Sequence, residues 1–232
     1  MELPSNGRKA CYIMHKTKMD DGFYPYLVDG AALVGAPGIP MLMDLGNTQV
    51  PKCLIPFEKI RQVQNHRGYV HFYMHDQYFE RILTATTDYL DLLKRFDGVI
   101  TPDFSLMVGQ ASCLQQANTY FNRAVGYYLQ KQGIPVIPNV RWSDASSYDY
   151  CFLGIPTHAM VSVSTHGCIR SKDQKLRFKV GLEEMLRRIE PADVLVHGYM
   201  PDEVFADFKE SARFHRYPSL FEQTHPQKKA VA

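Results

Sequence analysis

The sequence predicts an α/β fold with a mainly parallel sheet of about six strands and flanking helices. Short apolar runs alternate with longer helical patterns from about Ile39 onward. Several of those runs, such as the one in Ile134–Pro138, are flanked by Pro and Gly, as buried parallel strands often are. The intervals between runs are long enough for helical crossovers, which parallel neighbours need.

In order, the candidate strands are Pro40–Met43, Tyr69–Met74, Gly98–Thr101, Ile134–Pro138, Ala159–Ser164 and Asp193–His197. Helical character falls on Phe57–His66, Gln77–Arg95, Ala111–Gln132 and Lys172–Ile189. Two architectures accommodate this order. An open doubly wound sheet takes six strands easily. A complete eight-stranded barrel takes about 250 residues, more than the 232 present, so the alternative is an incomplete (β/α) barrel. Both collect chemistry at the carboxyl ends of the strands. Residues 1–38 read as an irregular Gly- and Pro-containing lead-in, 39–220 as one α/β domain, and 221–232 as a frayed tail.

Composition supports a globular chain. Hydrophobic residues make up 45%, charged residues 22%, and the mean hydropathy is −0.26, which excludes collagen-like, coiled-coil and disordered classes. A chain of this length buries roughly 70% of its unfolded surface, so its core needs neither metal nor disulfide. The net charge of +2 gives no electrostatic footprint for nucleic acid. Lys172, Lys175, Arg177, Lys179, Arg187 and Arg188 nevertheless give one helix a basic bias, so a nucleic-acid partner is not favoured but stays open. Five cysteines (Cys11, Cys53, Cys113, Cys151 and Cys168) lack CxxC spacing, which argues against a disulfide framework and a zinc site. With no apolar signal stretch and no membrane-length run, the expected location is cytoplasmic, with no membrane partner. GxGxxG, GxSxG, HExxH, P-loop and iron–sulfur spacings are absent, so no motif names a cofactor or a metal.

Residues just after the candidate strands are polar: Asp44, His75, Asp76, Asp103, Ser105, Asn139, Arg141, Trp142, Ser143, Asp144, Thr165, His166 and Tyr199. Their convergence on one rim would gather acids, imidazoles and a guanidinium around a crevice. Asp103, after the strand in GVITPD, reads either as a general base or as a turn or helix cap. In the next helix, Leu114, Ala117, Phe121, Ala124, Val125 and Tyr128 share an apolar arc. Asn118 and Asn122 lie at its edge, either bracing a loop or reaching a ligand. Arg123 reads as an outward-facing cation. Arg141 and Trp142 suit an anion held beside a stacked ring; equally, Trp142 would seal the sheet edge while Arg141 pairs with Asp144. The stretch Ser164–Cys168 reads as a strand-to-helix turn with amides for an anion, and His166 with Cys168 as a less favoured nucleophile–base pair.

The segments HFYMHDQYFERI, GVITPDFSL, NTYFNRAVGYYLQKQGIPVIPNVRWSD, SYDYCFLGIP, VSVSTHGC and PADVLVHG together resemble the family described as domain of unknown function 4417, over about residues 69–198. The resemblance implies a bacterial, phage or mobile-element protein and no particular reaction. Its recurrent positions include Asp76, Asp103, Ser105, Asn118, Asn122, Arg123, Trp142, Ser143, Asp144, Thr165 and Cys168. Members often carry two adjacent acids where this chain has His75 and Asp76, a departure that tells against a carboxylate pair there.

The leading expectation is an enzyme acting on a nucleotide, nucleoside or nucleic-acid substrate by hydrolysis or group transfer at the rim. Asp103 would be the general base, His166 an acid, and Asp76 a further catalytic carboxylate. Arg141 would hold an anion, Trp142 would stack on a ring, and Asn118 and Asn122 would orient the substrate. Ser105, Ser143, Asp144 and Thr165 would complete its binding. The alternative is a non-catalytic phage or mobile-element accessory protein that binds a small anionic ligand or a host protein.

Overall fold

The computed structural model describes residues 24–44, 46 and 49–224. Residues 1–23 of the lead-in, Cys11 among them, and 225–232 of the tail lie outside it.

Two short strands, β1 (Leu33–Val34) and β2 (Ile39–Pro40), pair antiparallel in a hairpin ahead of the main body. Two parallel sheets follow. The first holds β3 (Leu54–Pro56), β4 (Tyr69–His71), β5 (Gly98–Ile100) and β6 (Val136–Ile137), in that order. The second holds β7 (Val161–Ser164), β8 (Asp193–His197) and β9 (Arg213–Tyr217), also in chain order. A single parallel bridge, Asn139 with Ser162, joins them. Each strand from β3 to β9 thus lies beside its chain neighbours, and the layout is parallel α/β with flanking helices, as expected.

Four-residue helices α1 (Arg81–Thr84) and α2 (Leu90–Leu93) follow β4. The long α3 (Ser112–Lys131) follows β5, and α4 (Tyr148–Cys151) lies between β6 and β7. After these come α5 (Lys172–Ile189), α6 (Asp202–Phe205) and α7 (Leu220–Thr224).

Strand periodicity sorts side chains into two layers. Val161 and Val163 of β7 and Val194 and Val196 of β8 face outward into an apolar cluster with Phe178, Leu182, Met185 and Leu186 of α5. Val70, Val99 and Val136 do the same against Ala124, Val125 and Leu129 of α3. The alternate residues turn inward, where Tyr69, Tyr73, Ile100, Ile137 and Leu195 meet in a third cluster. Inward residues of β4 thereby reach β8: the His71 and His197 rings lie 4.9 Å apart. Strands of the two sheets therefore curl toward one another. No strand pairing closes β9 onto β3 among the described residues; the Tyr217 hydroxyl donating to the Pro51 carbonyl spans that gap.

Several elements differ from expectation. Pro40–Met43 is not a sheet strand; only Pro40 pairs, in the hairpin. β3 and β9 join the sheets without having been anticipated. The stretch Gln77–Arg95 breaks into short turns, and Thr86 Oγ1 donates back to the Ile82 carbonyl at 2.6 Å, a side-chain bond that competes with helix continuation. Phe57–His66 forms only one 3-10 turn, Phe57–Lys59.

The α3 helix lies where expected but is rotated. Leu114 is 54% exposed, whereas Gln115, Asn122, Arg123 and Gln130 are buried. The reason is that α3 rests on irregular loops whose backbone groups need partners. Gln130 exchanges two hydrogen bonds with the Met43 backbone, at 2.8 and 2.9 Å. Arg123, expected on the outer face, is 1% exposed. Its guanidinium donates to the carbonyls of Asn139, Cys151 and Leu153 at 2.9–3.0 Å and to Asn122 Oδ1. Burial lowers its pKa to about 10, so it stays charged at neutral pH.

Candidate functional site

The chain leaving β5 passes through Thr101 and Pro102 into Asp103, and the chain leaving β6 passes into Asn139 and Arg141. These two strand ends are neighbours, so three polar side chains meet. Asn139 Nδ2 donates to Asp103 Oδ1 at 2.8 Å, and Arg141 Nη1 donates to Oδ2 at 3.0 Å. Burial pushes the Asp103 carboxyl above the usual carboxylate range, against the pull of Arg141 and the hydrogen bond from Asn139. In turn Asp103 holds the Arg141 guanidinium charged. Arg141 Nε is buried and has no hydrogen-bond partner among the described residues.

Asp103 and Arg141 line a cleft of about 320 Å3 that is also bordered by Trp142, Ser143, Cys168 and Arg177. That volume suits a small molecule. Arg177 projects from α5, is exposed, and has no ion-pair or hydrogen-bond partner among the described residues. Trp142 packs against Phe152 and Phe178, with ring centroids 6.1 and 5.0 Å away. A Cβ at Gly181 would stand 2.0 Å from its Nε1, so a glycine is needed for α5 to cover the indole. At 9% exposure, Trp142 is a wall of the cleft rather than a free stacking surface.

Of the residues expected to form the site, the structure gathers Asp103, Arg141, Trp142 and Ser143 around this cleft. The others lie outside its lining and hold its loops. Asp76 accepts from Ser105 N and Oγ at 3.0 and 2.9 Å. Asn118 Nδ2 donates to the Ser105 carbonyl, and Asn122 Nδ2 to the Pro102 carbonyl, each at 2.6 Å. These four side chains grip both flanks of Asp103. Asp144 accepts from Ser146 N at 3.0 Å and so caps the following turn. Arg141 pairs with Asp103 and not with Asp144. Ser143 Oγ donates to Gln115 Oε1, and Thr165 Oγ1 to the Tyr199 carbonyl, each at 2.6 Å.

The stretch Ser164–Cys168 does not lead directly into a helix. α5 begins at Lys172, and its first amides are satisfied by a capping box of Ser171 and Gln174. His166 lies outside the cleft lining with its backbone N–H on Ser164 Oγ, and partial desolvation and Arg170 lower its pKa. The Cys168 thiol donates to the backbone carbonyl of His166 at 3.5 Å. Burial raises its pKa, and that disfavours a thiolate.

An inward polar column stands behind Asp103, unrecognised in the sequence. The Tyr73 hydroxyl donates to Asn139 Oδ1 at 3.2 Å and shares a 2.5 Å bond with Ser162 Oγ. Its ring stacks on His197 at 4.5 Å, and His197 Nδ1 bonds Ser164 Oγ at 3.1 Å. The signal was present: Tyr69, His71 and Tyr73 alternate with Val70 and Phe72, as Ser162 and Ser164 alternate with Val161 and Val163. Polar residues at every second position of a buried strand mark the inner face.

The fold and this cleft define an α/β protein of parallel strands with a charged, partly buried site at the strand carboxyl ends. The chain belongs to the family described as domain of unknown function (DUF4417), whose model matches residues 31–217. It is similar to the Gene 1 protein of Mycobacterium phage L5, at 35% identity over 133 residues, 57% of this chain and 58% of that protein. It is also similar to the Gene 1 protein of Mycobacterium phage D29, at 32% over 163 residues, 69% of this chain and 58% of that protein. The chain therefore spans less than two thirds of either relative. No solved structure matches it. No helix of the described residues is long and apolar enough to cross a membrane.

Proposed function

We propose that the cleft is the site of an enzyme acting on a nucleotide, nucleoside or nucleic-acid substrate by hydrolysis or group transfer, with Asp103 exchanging the proton. One observation carries this reading. Asp103 is buried at the cleft wall, fixed by Asn139 and Arg141, with its carboxyl pushed upward. A carboxyl whose pKa moves toward the working pH is suited to both taking and giving a proton. Arg177 and the Arg141 guanidinium supply charge for an anionic group. Trp142 bounds the substrate without stacking on it, and Asp76, Asn118 and Asn122 act by positioning the Asp103 loop. The phage relatives support a phage or mobile-element setting.

A second reading has its own support: both oxygens of Asp103 already accept hydrogen bonds, as in a structural carboxylate. Under it the cleft captures a small anion without turnover. Asp103→Asn separates the two. The enzymatic reading expects product formation from a nucleotide or nucleoside panel to vanish while ligand binding persists. Turnover that survives the substitution rejects Asp103 as the proton-exchanging group.

The basic helix gives a nucleic-acid surface little support. Lys175 pairs with Glu203, Lys179 with Asp207, and Arg187 and Arg188 with Glu184.

A further inference from the structure

Between β3 and β9, where no strand pairing closes the ring, lies a second pocket of about 490 Å3. Lys52, Lys59, His71, His197 and Arg216, with Cys53, Tyr217 and Gln223, contribute its polar lining, which holds no carboxylate among the described residues. Arg216 is already engaged by Glu222 and by the Gly198 carbonyl. Lys52 and Lys59 have no ion-pair or hydrogen-bond partner among the described residues.

The two histidines form the inner wall, 5% and 4% exposed. The Tyr73 backbone N–H donates to His71 Nδ1 at 3.2 Å, so that nitrogen carries no proton. Ser164 Oγ accepts from His166 N at 3.2 Å and lies 3.1 Å from His197 Nδ1, closer than the alternative acceptor, the His197 carbonyl, at 3.4 Å. The Ser164 hydroxyl can donate to the His197 carbonyl or to His197 Nδ1, and donation to Nδ1 leaves the His197 ring proton on Nε2. Burial, with the neighbouring imidazoles, keeps both rings neutral: His71 is held well below its ordinary pKa and His197 is lowered to about 3. A neutral imidazole whose Nδ1 accepts must carry its proton on Nε2. His71 thus keeps an Nε2–H donor with no partner for it among the described residues; the same tautomer at His197 is part of the proposal.

We propose that this seam is a second anion site, taking the phosphoryl group of a small phosphomonoester through Lys52, Lys59 and the Nε2–H groups of His71 and His197. Neutral N–H donors and lysine ammoniums all donate to an oxyanion, and the one acid felt by His197, Glu222, is paired with Arg216. The apolar side chains of Ile55, Val63 and Leu220 in the same pocket leave room for the ester group. Ser164 lines the cleft and bonds His197, so the two sites share one wall. The proposal does not depend on catalysis in the cleft.

The test is to titrate inorganic phosphate and AMP separately, following the ring-nitrogen resonances of His71 and His197. Both should show an Nε2–H tautomer and move to saturation. In the double variant Lys52→Ala, Lys59→Ala the dissociation constant should rise at least about tenfold; both lysines are at least partly exposed, so the core is left intact. Arg177→Ala, in the cleft, should leave the response unchanged. A response to AMP well tighter than to phosphate identifies an ester as ligand, and equal responses identify the free ion. No response to either at millimolar concentration overturns the proposal. So does a response that the lysine variant leaves intact or that Arg177→Ala abolishes.

Discussion

The two faces of β7 and β8 are built from opposite chemistry. Outward, Val161, Val163, Val194 and Val196 are fully buried under α5 and α6. Inward, Ser162, Ser164 and His197 are almost as buried, yet each is hydrogen-bonded in a column that reaches Tyr73, Asn139 and Asp103. The same strands thus separate stability from chemistry at alternate positions. Burial alone does not distinguish a core residue from a site residue, but the identity of the buried group does.

If that separation is real, the outer layer should dominate stability. Leu182→Ala, on the fully buried face of α5, is expected to cost about 2–5 kcal/mol in urea unfolding. A loss below about 1 kcal/mol would fall outside that range and break the comparison at once.

The inner layer should instead show itself in acid. The folded pKa values of His71 and His197 are lowered, chiefly by burial, so their neutral forms favour the folded state. That contribution is complete above the ordinary histidine value near 6.5 and is lost as the pH falls toward about 3. In this window each histidine contributes a slope of up to about 1.4 kcal/mol per pH unit. Asp103, with its raised folded value, acts in the opposite sense, gaining stability as the pH falls. Comparing wild type with His197→Gln isolates the His197 part, and equal slopes in the two proteins would refute it.

Ser162→Ala removes a hydroxyl from Tyr73 and should cost about 1 kcal/mol, less than Leu182→Ala. The reverse order would place the inner column in the structural core. Smallest of all should be Lys179→Ala, which breaks a pair with the 66%-exposed Asp207; its effect should stay under about 1 kcal/mol.

Legibility in the sequence followed the same division. The sequence predicts α5 over Lys172–Ile189, its observed span, because apolar periodicity and an outward solvent face agree there. β9 escaped notice because RFHRY is an edge strand with no fully buried residue and no apolar run. β3 is hidden because its apolar pair Leu54–Ile55 runs through Pro56 straight into Phe57, where the sequence suggests a helix. Asp103 and Arg141 were legible as strand-end residues, but their pairing was not, since it depends on β5 and β6 being neighbours. Periodicity weights Arg123 as an outward cation, whereas the irregular loops after β6 and α4 need its donors. His71 and Tyr73 were hidden within a segment read only as a strand.

The measurement that bears most directly on the cleft is thermal unfolding of wild type and Arg177→Ala against nucleotides and nucleosides, with and without magnesium. A ligand at about 100 times its dissociation constant adds about 2.7 kcal/mol, or roughly 5–10 °C for a domain of this size. The account predicts such a shift in wild type with at least one compound, and its loss in Arg177→Ala. No shift with any compound, or no compound whose shift the substitution removes, would contradict it.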